Sequence, residues 1–143
     1  MASGGLTLLV GTTKGAFLVD ESASGGWSVR GPFCDGWPIN HAIGDPATGT
    51  IWAGGGGDWH GAGVWRSGDG GESWQVARLT RGTMDDWAEH DPEVAALIGW
   101  TPAAAPFGKD FAQVWSRGRA GDRLLAGTKP ASLLASRDGG TSW

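Results

Sequence analysis

The chain has 143 residues, of which 40% are hydrophobic and 18% charged, and its formal net charge is −4 at pH 7. This apolar fraction supports a packed core. Lys and Arg form no basic run, so we expect no nucleic-acid partner, because phosphate binding depends on clustered cations. No apolar stretch is long enough to span a membrane, and residues 1–5 lack the basic and apolar regions of a signal peptide. Cys34 is the one cysteine, so no disulfide forms within the chain, and we expect a cytoplasmic setting.

Short apolar runs between turn-forming residues predict strands along most of the chain. In chain order, the predicted strands cover residues 6–10, 16–19, 27–30, 39–43, 51–53, 63–66, 74–78, 111–117, 123–126 and 132–135. Residues 80–110 are predicted to be an insertion between the seventh and eighth strands. Within it, Asp91 and Pro92 predict a short helix through Ile98, with Asp91 as N-cap and Pro92 at the first helical position.

One eight-residue pattern occurs twice. Ser67–Trp74 and Ser136–Trp143 both fit Ser-x-Asp-x-Gly-x-x-Trp, and they begin 69 residues apart. Ser and Asp side chains accept hydrogen bonds from backbone N–H groups a few residues later, and glycine adopts the positive φ that such turns need. We therefore predict a structural, turn-closing role for the motif residues, which are Ser67, Asp69, Gly71, Trp74, Ser136, Asp138, Gly140 and Trp143.

The repeated unit is longer than the motif itself. Gly11 precedes Trp27 by 16 residues, and Gly127 precedes Trp143 by the same interval. Trp74 follows Trp27 by 47 residues and precedes Trp143 by 69. A period of about 40–50 residues built from short strands is typical of propeller blades. The sequence therefore predicts an all-β fold, a β-propeller of four-stranded antiparallel blades, with an insertion in the longer interval.

Further segments carry a family resemblance. They are Gly11–Phe17, Arg30–Phe33, His41-Ala42 followed by Asp45-Pro46, and Gly127–Ala131. Together with the two motifs, they resemble the BNR/Asp-box repeat propellers of bacteria, which are described as exo-alpha-sialidase-like, glycosyl-hydrolase-like or WD40/YVTN/BNR-like repeat proteins.

The resemblance implies a propeller of roughly six to eight blades, of which this chain is an N-terminal part with about two blades and part of a third. Residues 1–32 would supply strands of a closing blade, and residues 33–79 a blade with the first motif at 67–74. The insertion 80–110 would follow, and residues 111–143 would form a blade truncated at the motif 136–143.

In such blades, the loops opposite the motif turns surround the channel mouth, where propellers usually bind ligands. The candidate catalytic residues on that face are Asp35, Asp58 and His60. The candidate ligand-binding residues are Lys14, Trp37, His41, Trp59 and Lys129. Trp37 and Trp59 offer rings that can stack on a sugar, and Asp35 with Asp58 is the carboxylate pair that a glycosidase needs roughly 5–10 Å apart. The carboxylate and imidazole residues of the insertion, Asp85, Asp86, Glu89, His90 and Asp91, favour a solvated acidic loop, so we expect no metal and no cofactor.

Two hypotheses remain open. Sialidases have an early Arg-Ile-Pro-like segment and a Tyr nucleophile, whereas the corresponding segment here is Arg30–Phe33 and the chain has no Tyr. This difference argues against sialidase activity. The first hypothesis is a glycosyl-hydrolase-like propeller that binds a glycan or small ligand at the channel-mouth face, with catalysis undecided. The alternative is a non-catalytic propeller that binds a protein or acts as an assembly factor, with no nucleic-acid or membrane partner in either case.

Overall fold

The computed structural model describes residues 5–143, and it consists mainly of antiparallel strands, in agreement with the all-β prediction. The strands are β1 Thr7–Thr12, β2 Gly15–Glu21, β3 Trp27–Phe33, β4 Ile39–Asp45, β5 Thr50–Gly57, β6 Gly61–Ser67, β7 Gln75–Arg78, β8 Gln113–Ala120, β9 Arg123–Lys129 and β10 Leu133–Ser136. The helices are α1 Thr83–His90 and α2 Pro92–Leu97. Each predicted strand corresponds to one of these elements, with ends that differ by a few residues.

Consecutive strands pair with each other in three groups. β1, β2 and β3 form a three-stranded antiparallel sheet. β4 to β7 pair in chain order, and so do β8 to β10. A bridge between Gly56 and Gln113 connects β5 to β8 and joins the second and third groups into one larger sheet. The up-and-down order within each group follows from the short turns between the strands.

Strand β5 extends to Gly57, four residues beyond the predicted end at residue 53. Glycine is a poor strand former, so the run of glycines at 54–57 argued for a loop. A Cβ at Gly55 would lie 1.9 Å from the Pro38 carbonyl oxygen, and one at Gly56 would lie 2.1 Å from the Gly61 carbonyl oxygen. At Gly55 and Gly56, therefore, the neighbouring backbone approaches too closely for any side chain, so only glycine fits these two strand positions.

The middle group, β4 to β7, is covered on both faces. Successive residues of a strand point to opposite faces, so Ala53 and Trp65 pack in the cluster toward the first sheet, while Trp52 and Val64 pack in the cluster toward β8 to β10. All four of these residues are at most 6% exposed. This double burial fixes the ends of β5 and β6, from which the loops of the candidate site project.

The insertion folds into two short helices. The prediction for α2 is confirmed, because the Asp91 side chain accepts hydrogen bonds from the backbone N–H groups of Glu93 and Val94, at 2.9 and 3.2 Å. The sequence did not predict α1, which contains residues expected in a solvated acidic loop. Asp85 in this helix is only 3% exposed. Within residues 5–143, neither helix is long and apolar enough to cross a membrane.

A buried ion pair explains the burial of Asp85. Its carboxylate accepts hydrogen bonds from Arg78 Nη1 and Nη2, at 2.8 and 2.5 Å, and from Trp100 Nε1 at 2.9 Å. The backbone N–H of Gly82 donates a further bond at 2.8 Å. Burial raises the pKa of Asp85, but these donors outweigh it, so the net pKa is lowered. The insertion is therefore anchored to β7 through Asp85.

Candidate functional site

The first motif closes the turn between β6 and β7. The Ser67 hydroxyl accepts a hydrogen bond from the Gly71 N–H at 2.8 Å and donates one to the Asp69 carboxylate at 2.7 Å. Asp69 in turn accepts bonds from the N–H and hydroxyl of Ser73, at 2.9 and 2.5 Å. Trp74 Nε1 donates to the Gly71 carbonyl at 3.0 Å. The side chains of Ser67, Asp69 and Trp74 are thus all hydrogen-bonded within the turn.

The second motif repeats this network after β10. Ser136 accepts from the Gly140 N–H at 2.9 Å and donates to Asp138 at 2.8 Å. Asp138 accepts from the Ser142 N–H at 2.9 Å and also from the Ser142 hydroxyl. Trp143 Nε1 donates to the Gly140 carbonyl at 3.2 Å. The same contacts at the same spacing agree with the predicted turn-closing role of both motifs.

These hydrogen bonds keep both motif carboxylates ionised. The hydroxyl and the N–H of Ser73 hold the pKa of Asp69 well below its usual range. Ser142 does the same for the pKa of Asp138. A carboxylate whose charge is already satisfied by several donors is a poor acid and a poor base at neutral pH. The chemistry of a site therefore has to come from other residues.

The loop Asp58–His60 lies at the opposite end of β6 from the first motif. β6 begins at Gly61, directly after this loop, and ends at Ser67, the first residue of the motif. The Asp58 carbonyl accepts a hydrogen bond from the Thr83 N–H at 2.8 Å, so the loop also contacts the start of α1. The loop is therefore separated from the motif turn by the length of the strand.

A cleft of about 440 Å³ opens at this end of the sheet. The β5–β6 loop, the start of α1, and the segment that leads from the insertion into β8 line it. The charged residues among its lining are Asp58, Arg81, Asp86, Lys109 and Asp110. A concave surface with several convergent polar groups is the usual form of a small-ligand site.

Both cations of the cleft already have carboxylate partners. Lys109 Nζ lies 2.5 Å from Asp86 Oδ2. Arg81 forms an ion pair with Glu89, and its Nη2 lies 3.9 Å from Asp86 Oδ1. These pairs are partly exposed, so each contributes little to stability. They nevertheless neutralise the positive charge that the cleft would otherwise offer to a ligand.

Two carboxylates of the cleft have no such partner. Within residues 5–143, the side chains of Asp58 and Asp110 form neither an ion pair nor a hydrogen bond, and both residues are exposed. In the same described part of the chain, no group of three or more His, Cys, Asp and Glu residues is placed to hold a metal ion. Asp58 and Asp110 are therefore free to accept hydrogen bonds from a ligand.

Two exposed tryptophans follow cleft residues in the chain, although neither is among the residues that line the cleft. Trp59 follows Asp58 and is 41% exposed, and Trp87 follows Asp86 and is 57% exposed. Their rings meet edge to face, with centroids 5.5 Å apart. Large aromatic side chains usually bury most of their surface in a folded protein. An exposed pair beside polar groups is instead typical of a surface that binds a partner or ligand.

Trp37 differs from the expectation of a sugar-stacking residue, because it is only 6% exposed. Its ring stacks on His60 at 4.8 Å, meets the edge of Trp65 at 5.7 Å, and lies 5.8 Å from the Arg78 guanidinium. Both faces are thus occupied by protein. Trp37 packs against His60 of the Asp58–His60 loop, and its ring is not available to a ligand.

His60, a predicted catalytic residue, is half-buried and is not among the cleft-lining residues. Among the described residues, its buried Nδ1 has no hydrogen-bond partner. Burial, with a smaller effect of the Arg78 charge, lowers the pKa of His60 below 6.5, although Asp85 opposes this shift. The imidazole is therefore neutral at pH 7, and its visible role is to fill the space above Trp37.

Asp35, the predicted partner of Asp58, is exposed in the turn before β4. Its φ is +48° and that of Cys34 is +72°, so two consecutive non-glycine residues adopt the left-handed region. The Trp37 N–H closes this turn on the Cys34 carbonyl at 2.9 Å. Asp35 is not among the residues that line the cleft, so the structure does not bring it to the cleft with Asp58.

The remaining predicted ligand-binding residues also lie outside the cleft lining. His41 on β4 accepts a hydrogen bond from the Arg117 N–H at 2.9 Å on Nδ1, which leaves its proton on Nε2. Lys14 is exposed in the β1–β2 turn. Lys129 is also exposed, and its ammonium lies 5.0 Å from the centre of the Trp115 ring. These three side chains do not converge on one point.

Arg117 is a buried cation that the sequence did not reveal. It is 8% exposed, and among residues 5–143 its Nε and Nη2 have no hydrogen-bond partner. Its guanidinium lies 5.9 Å from the centre of the Trp143 ring, and burial lowers its pKa to about 9. A Cβ at Gly54 would come within 3.1 Å of Nε. The cation–π contact with the Trp143 ring thus offsets part of the cost of burying this charge.

Sequence reasoning missed three cleft residues, Arg81, Lys109 and Asp110. All three lie where the insertion leaves β7 or returns toward β8. Because β7 ends beside the start of β6, both ends of the insertion lie at the same end of the sheet as the Asp58–His60 loop. Charged residues at the two ends of a long insertion were the available signal.

No protein-family model matches the chain, and no curated protein shows significant sequence similarity to it. A proposal about function therefore has to rest on the geometry of the cleft.

Proposed function

We propose that this chain is part of an Asp-box β-propeller that binds a glycan, or a similar polyhydroxylated small ligand, in the cleft opposite the motif turns. The observation that carries the proposal is the presence of two free carboxylates, Asp58 and Asp110, in one cleft. The exposed rings of Trp59 and Trp87, which follow the cleft residues Asp58 and Asp86 in the chain, support it. The chemistry of such a surface matches that of a sugar, which has both apolar C–H faces and many hydroxyl donors.

The propeller part of the proposal is supported by three features. The two motif turns have the same pattern of hydrogen bonds. β4 to β7 pair in chain order, as the strands of a propeller blade do. This group is buried on both faces between its neighbours, which is how radial blades stack around an axis. Residues 80–110 are then an insertion between two blades.

The ligand part rests on complementary groups. An indole ring packs against the C–H face of a pyranose, and carboxylate oxygens accept hydrogen bonds from its hydroxyl groups. A hydrogen bond to a charged group contributes about 1.5–3 kcal/mol. Asp58 is one residue from Trp59 in a loop that is fixed by its backbone contacts with α1. The backbone of the loop that carries both residues is therefore positioned before a ligand arrives.

Titration of a panel of neutral and charged oligosaccharides, followed by tryptophan fluorescence and calorimetry, tests the binding. We expect Asp58→Asn to weaken the best ligand by about tenfold or more, and Trp59→Ala to weaken it similarly. Asp122→Asn is the matched control, because Asp122 is exposed in the β8–β9 turn at the far end of those strands. Equal affinities for the two Asn variants, or no binding of any oligosaccharide, would contradict the proposal.

Hydrolysis is a second candidate, favoured by the presence of Asp58 and Asp110 in one cleft. Glycosidases act with two carboxylates on either side of the scissile bond. In this version Asp110 takes the role that the sequence suggested for Asp35. Turnover of aryl glycosides that is lost in both Asp58→Asn and Asp110→Asn supports it. Binding without turnover across the panel leaves a lectin-like function.

The protein-binding alternative is favoured by a different surface. Leu97 and Ile98, at the end of α2, are 85% and 40% exposed. Apolar side chains grouped on a surface insertion are typical of a protein contact. A partner whose binding is lost in Leu97→Asp, but is unchanged in Asp58→Asn, would support this alternative.

A further inference from the structure

The first sheet, β1 to β3, has one covered face and one open face. Leu18 lies against Gly71 of the middle group, and Leu9, opposite Leu18, lies against Gly44 on β4. The neighbouring residues along these strands point the other way. They form an outer face whose exposed apolar side chains are Leu6, Leu8, Val10, Trp27 and Val29. An exposed apolar patch of this kind usually marks an interaction surface.

The third group, β8 to β10, also has an open face. Leu124 and Ala126 of β9 are buried in the cluster shared with the middle group. Leu125, between them, therefore points away from that cluster. Ala135 is the residue of β10 opposite Leu125, and Leu133, on the same side of β10, is 73% exposed. These three side chains, Leu125, Leu133 and Ala135, define the outer face of the third group.

The two interfaces inside the chain show how such groups cover each other. At the first interface, Leu18 of the first sheet covers the motif turn of the middle group, where a Cβ on Gly71 would lie 2.3 Å from Leu18 Cδ1. At the second, Trp52 of the middle group covers the motif turn of the third, where a Cβ on Gly140 would lie 3.2 Å from the Trp52 ring. In both cases the group that comes earlier in the chain covers the turn of the next one.

The same two interfaces contain a matching hydrogen bond. Arg30 Nη2 donates to the Gly70 carbonyl at 3.2 Å, and Trp52 Nε1 donates to the Gly139 carbonyl at 2.8 Å. Gly70 and Gly139 hold the same position in the two motifs. Arg30 also forms an ion pair with Glu72, with 3.1 Å between Nη1 and Oε1. A covering group therefore supplies both an apolar side chain and a donor to the turn that it covers.

The β2–β3 turn of the first sheet has a similar construction but no cover. The Gly26 N–H donates to Ser22 Oγ at 2.9 Å, four residues apart as in both motifs. Within residues 5–143, the Gly25 carbonyl accepts no hydrogen bond, and a Cβ on this glycine would have nothing within 4 Å. Trp27, which follows the turn, is 52% exposed, whereas Trp74 stacks on a phenylalanine of β3. The first sheet thus presents an uncovered turn of the type that is covered at both interfaces.

The occupant that fits this open side is the outer face of the third group in a second copy, because within the described part of the chain the third group covers no other turn. We propose that copies of this chain associate head to tail, with the outer face of the third group of one copy packed on the outer face of the first sheet of the next. Such a contact joins two different surfaces, so copies add in one direction and close into a ring where the rotation permits. Neither face shares a residue with the lining of the cleft, so the inference does not rest on the proposed glycan binding.

Charges near the turns favour this arrangement. Arg123 and Arg137 are exposed, and within residues 5–143 neither forms an ion pair. Both lie at the motif end of the third group, since Arg123 begins β9 and Arg137 follows β10. Glu21 lies directly before the β2–β3 turn and, among the same described residues, also forms no ion pair. Contact with the turns aligned brings these cations toward Glu21, just as Arg30 meets Glu72 inside the chain.

Sedimentation velocity of the full chain at increasing concentration tests the association. We expect the average mass to rise reversibly above the 14.8 kDa of one chain. Val29→Lys on the first sheet and Leu133→Lys on the third group each place a charge in the proposed contact, and each should weaken association by about 100-fold or more. Ala104→Lys, in an exposed part of the insertion, is the matched control and should associate like the unaltered chain.

Mixing the two lysine variants identifies the faces that meet. Each variant keeps the face that the other has lost, so an equimolar mixture should recover association, with one copy of each variant in contact. A mixture that stays monomeric would overturn the proposal. A symmetric contact between two first sheets would instead leave Leu133→Lys unaffected, and that result would also overturn it. Leu6→Lys and Ala135→Lys repeat the test at a second site on each face, and circular dichroism checks that each variant is folded.

Two further outcomes contradict head-to-tail association. One is a chain that remains monomeric up to about 1 mM, a concentration at which even a weak contact is populated. The other is aggregation that neither lysine substitution reduces, since it would not use these faces. Either failure leaves the proposed glycan binding unaffected, because the substitutions lie outside the cleft lining.

Discussion

The two ends of β6 place aspartates in opposite situations. At the Ser67 end, the Asp69 carboxylate is closed into its own turn by the hydroxyl and N–H of Ser73. At the Gly61 end, Asp58 is in a shorter loop, and of its polar groups only the backbone carbonyl is used, to hold α1. The same residue type is structural in one turn and free in the other, so its partners decide which aspartate can meet a ligand.

The two ends are also held by different forces. The motif turn depends on local hydrogen bonds between residues that are at most four apart in the chain. The cleft end depends on the buried pair of Arg78 and Asp85, which fixes the insertion against β7. Local contacts form as soon as the turn forms, whereas the pair requires the whole insertion to pack. This difference predicts where substitutions have the largest effects.

Asp85→Asn should cause the largest loss of stability. It leaves the Arg78 guanidinium, whose side chain is 12% exposed, as a buried charge without its carboxylate. The new amide also faces the Trp100 and Gly82 donors. We expect the free energy of unfolding to fall by about 3–5 kcal/mol, as measured by urea denaturation.

The exposed Glu93→Gln, in the first turn of α2, serves as the control and should have almost no effect. The double variant Arg78→Met with Asp85→Leu should recover most of the loss, because it removes both buried charges. If Asp85→Asn were as mild as Glu93→Gln, the cleft end would not depend on this pair.

Gly71→Ala tests how closely the motif turn packs. Gly71 has a φ of +96°, and a Cβ there would lie 2.3 Å from the Leu18 methyl Cδ1. We expect a loss of about 2–5 kcal/mol, because backbone strain of about 1–2 kcal/mol adds to overpacking of about 1–3 kcal/mol. The control is Gly25→Ala, which has a φ of +83° with nothing within 4 Å.

Gly25→Ala should show the strain alone, so the difference between the two variants in thermal or urea unfolding measures the contact with Leu18. Equal losses of unfolding free energy in the two variants would show that the contact with Leu18 of the first sheet does not limit the space at Gly71.

The same contrast explains how much the sequence could predict. The motif turns were predictable because Ser67, Asp69 and Gly71 satisfy each other locally. Strand positions were predictable from apolar runs, and the N-cap Asp91 from its position before Pro92. These features depend on neighbours in the chain and not on the packing of distant segments.

The cleft was predictable only in part. Asp58 and Trp59 were found because their loop follows from the strand order. Arg81 and Lys109 line the same cleft only when the insertion has packed. Trp37 was predicted to be a loop residue that stacks on a ligand, whereas in the fold its ring stacks on His60. Such contacts join residues more than 20 positions apart, and no local pattern encodes them.

Ser67→Ala and Ser136→Ala should have smaller and similar effects. Each serine is 1% exposed, and its hydroxyl accepts a hydrogen bond from the N–H of the motif glycine, Gly71 or Gly140. Removing it leaves that buried donor without a partner, at a cost of about 1–3 kcal/mol. Ser28→Ala, on the exposed strand β3, is the control. A large effect at one motif serine and none at the other would show that the two turns are not equivalent.

The smallest expected effect is the dependence of stability on pH at the cleft end. Burial and the Arg78 charge lower the pKa of His60 below 6.5, and Asp85 on α1 opposes them. Below pH 6.5 the unfolded chain therefore binds the proton before the folded chain does. Stability contributed by the neutral imidazole is complete above pH 6.5, and it is lost as the pH falls from 6.5 toward the folded-state pKa.

His60→Gln should remove this slope from unfolding free energies measured between about pH 7.5 and 5.5, whereas the exposed His90→Gln should keep it. The motif turns should contribute nothing in this window, because the pKa values of Asp69 and Asp138 are lowered from 3.8 and their carboxylates stay ionised. Their contribution is complete above pH 3.8 and is lost only as the pH falls through the depressed folded-state pKa values. A slope that persists in His60→Gln would mean that a group other than this imidazole makes the cleft end sensitive to pH.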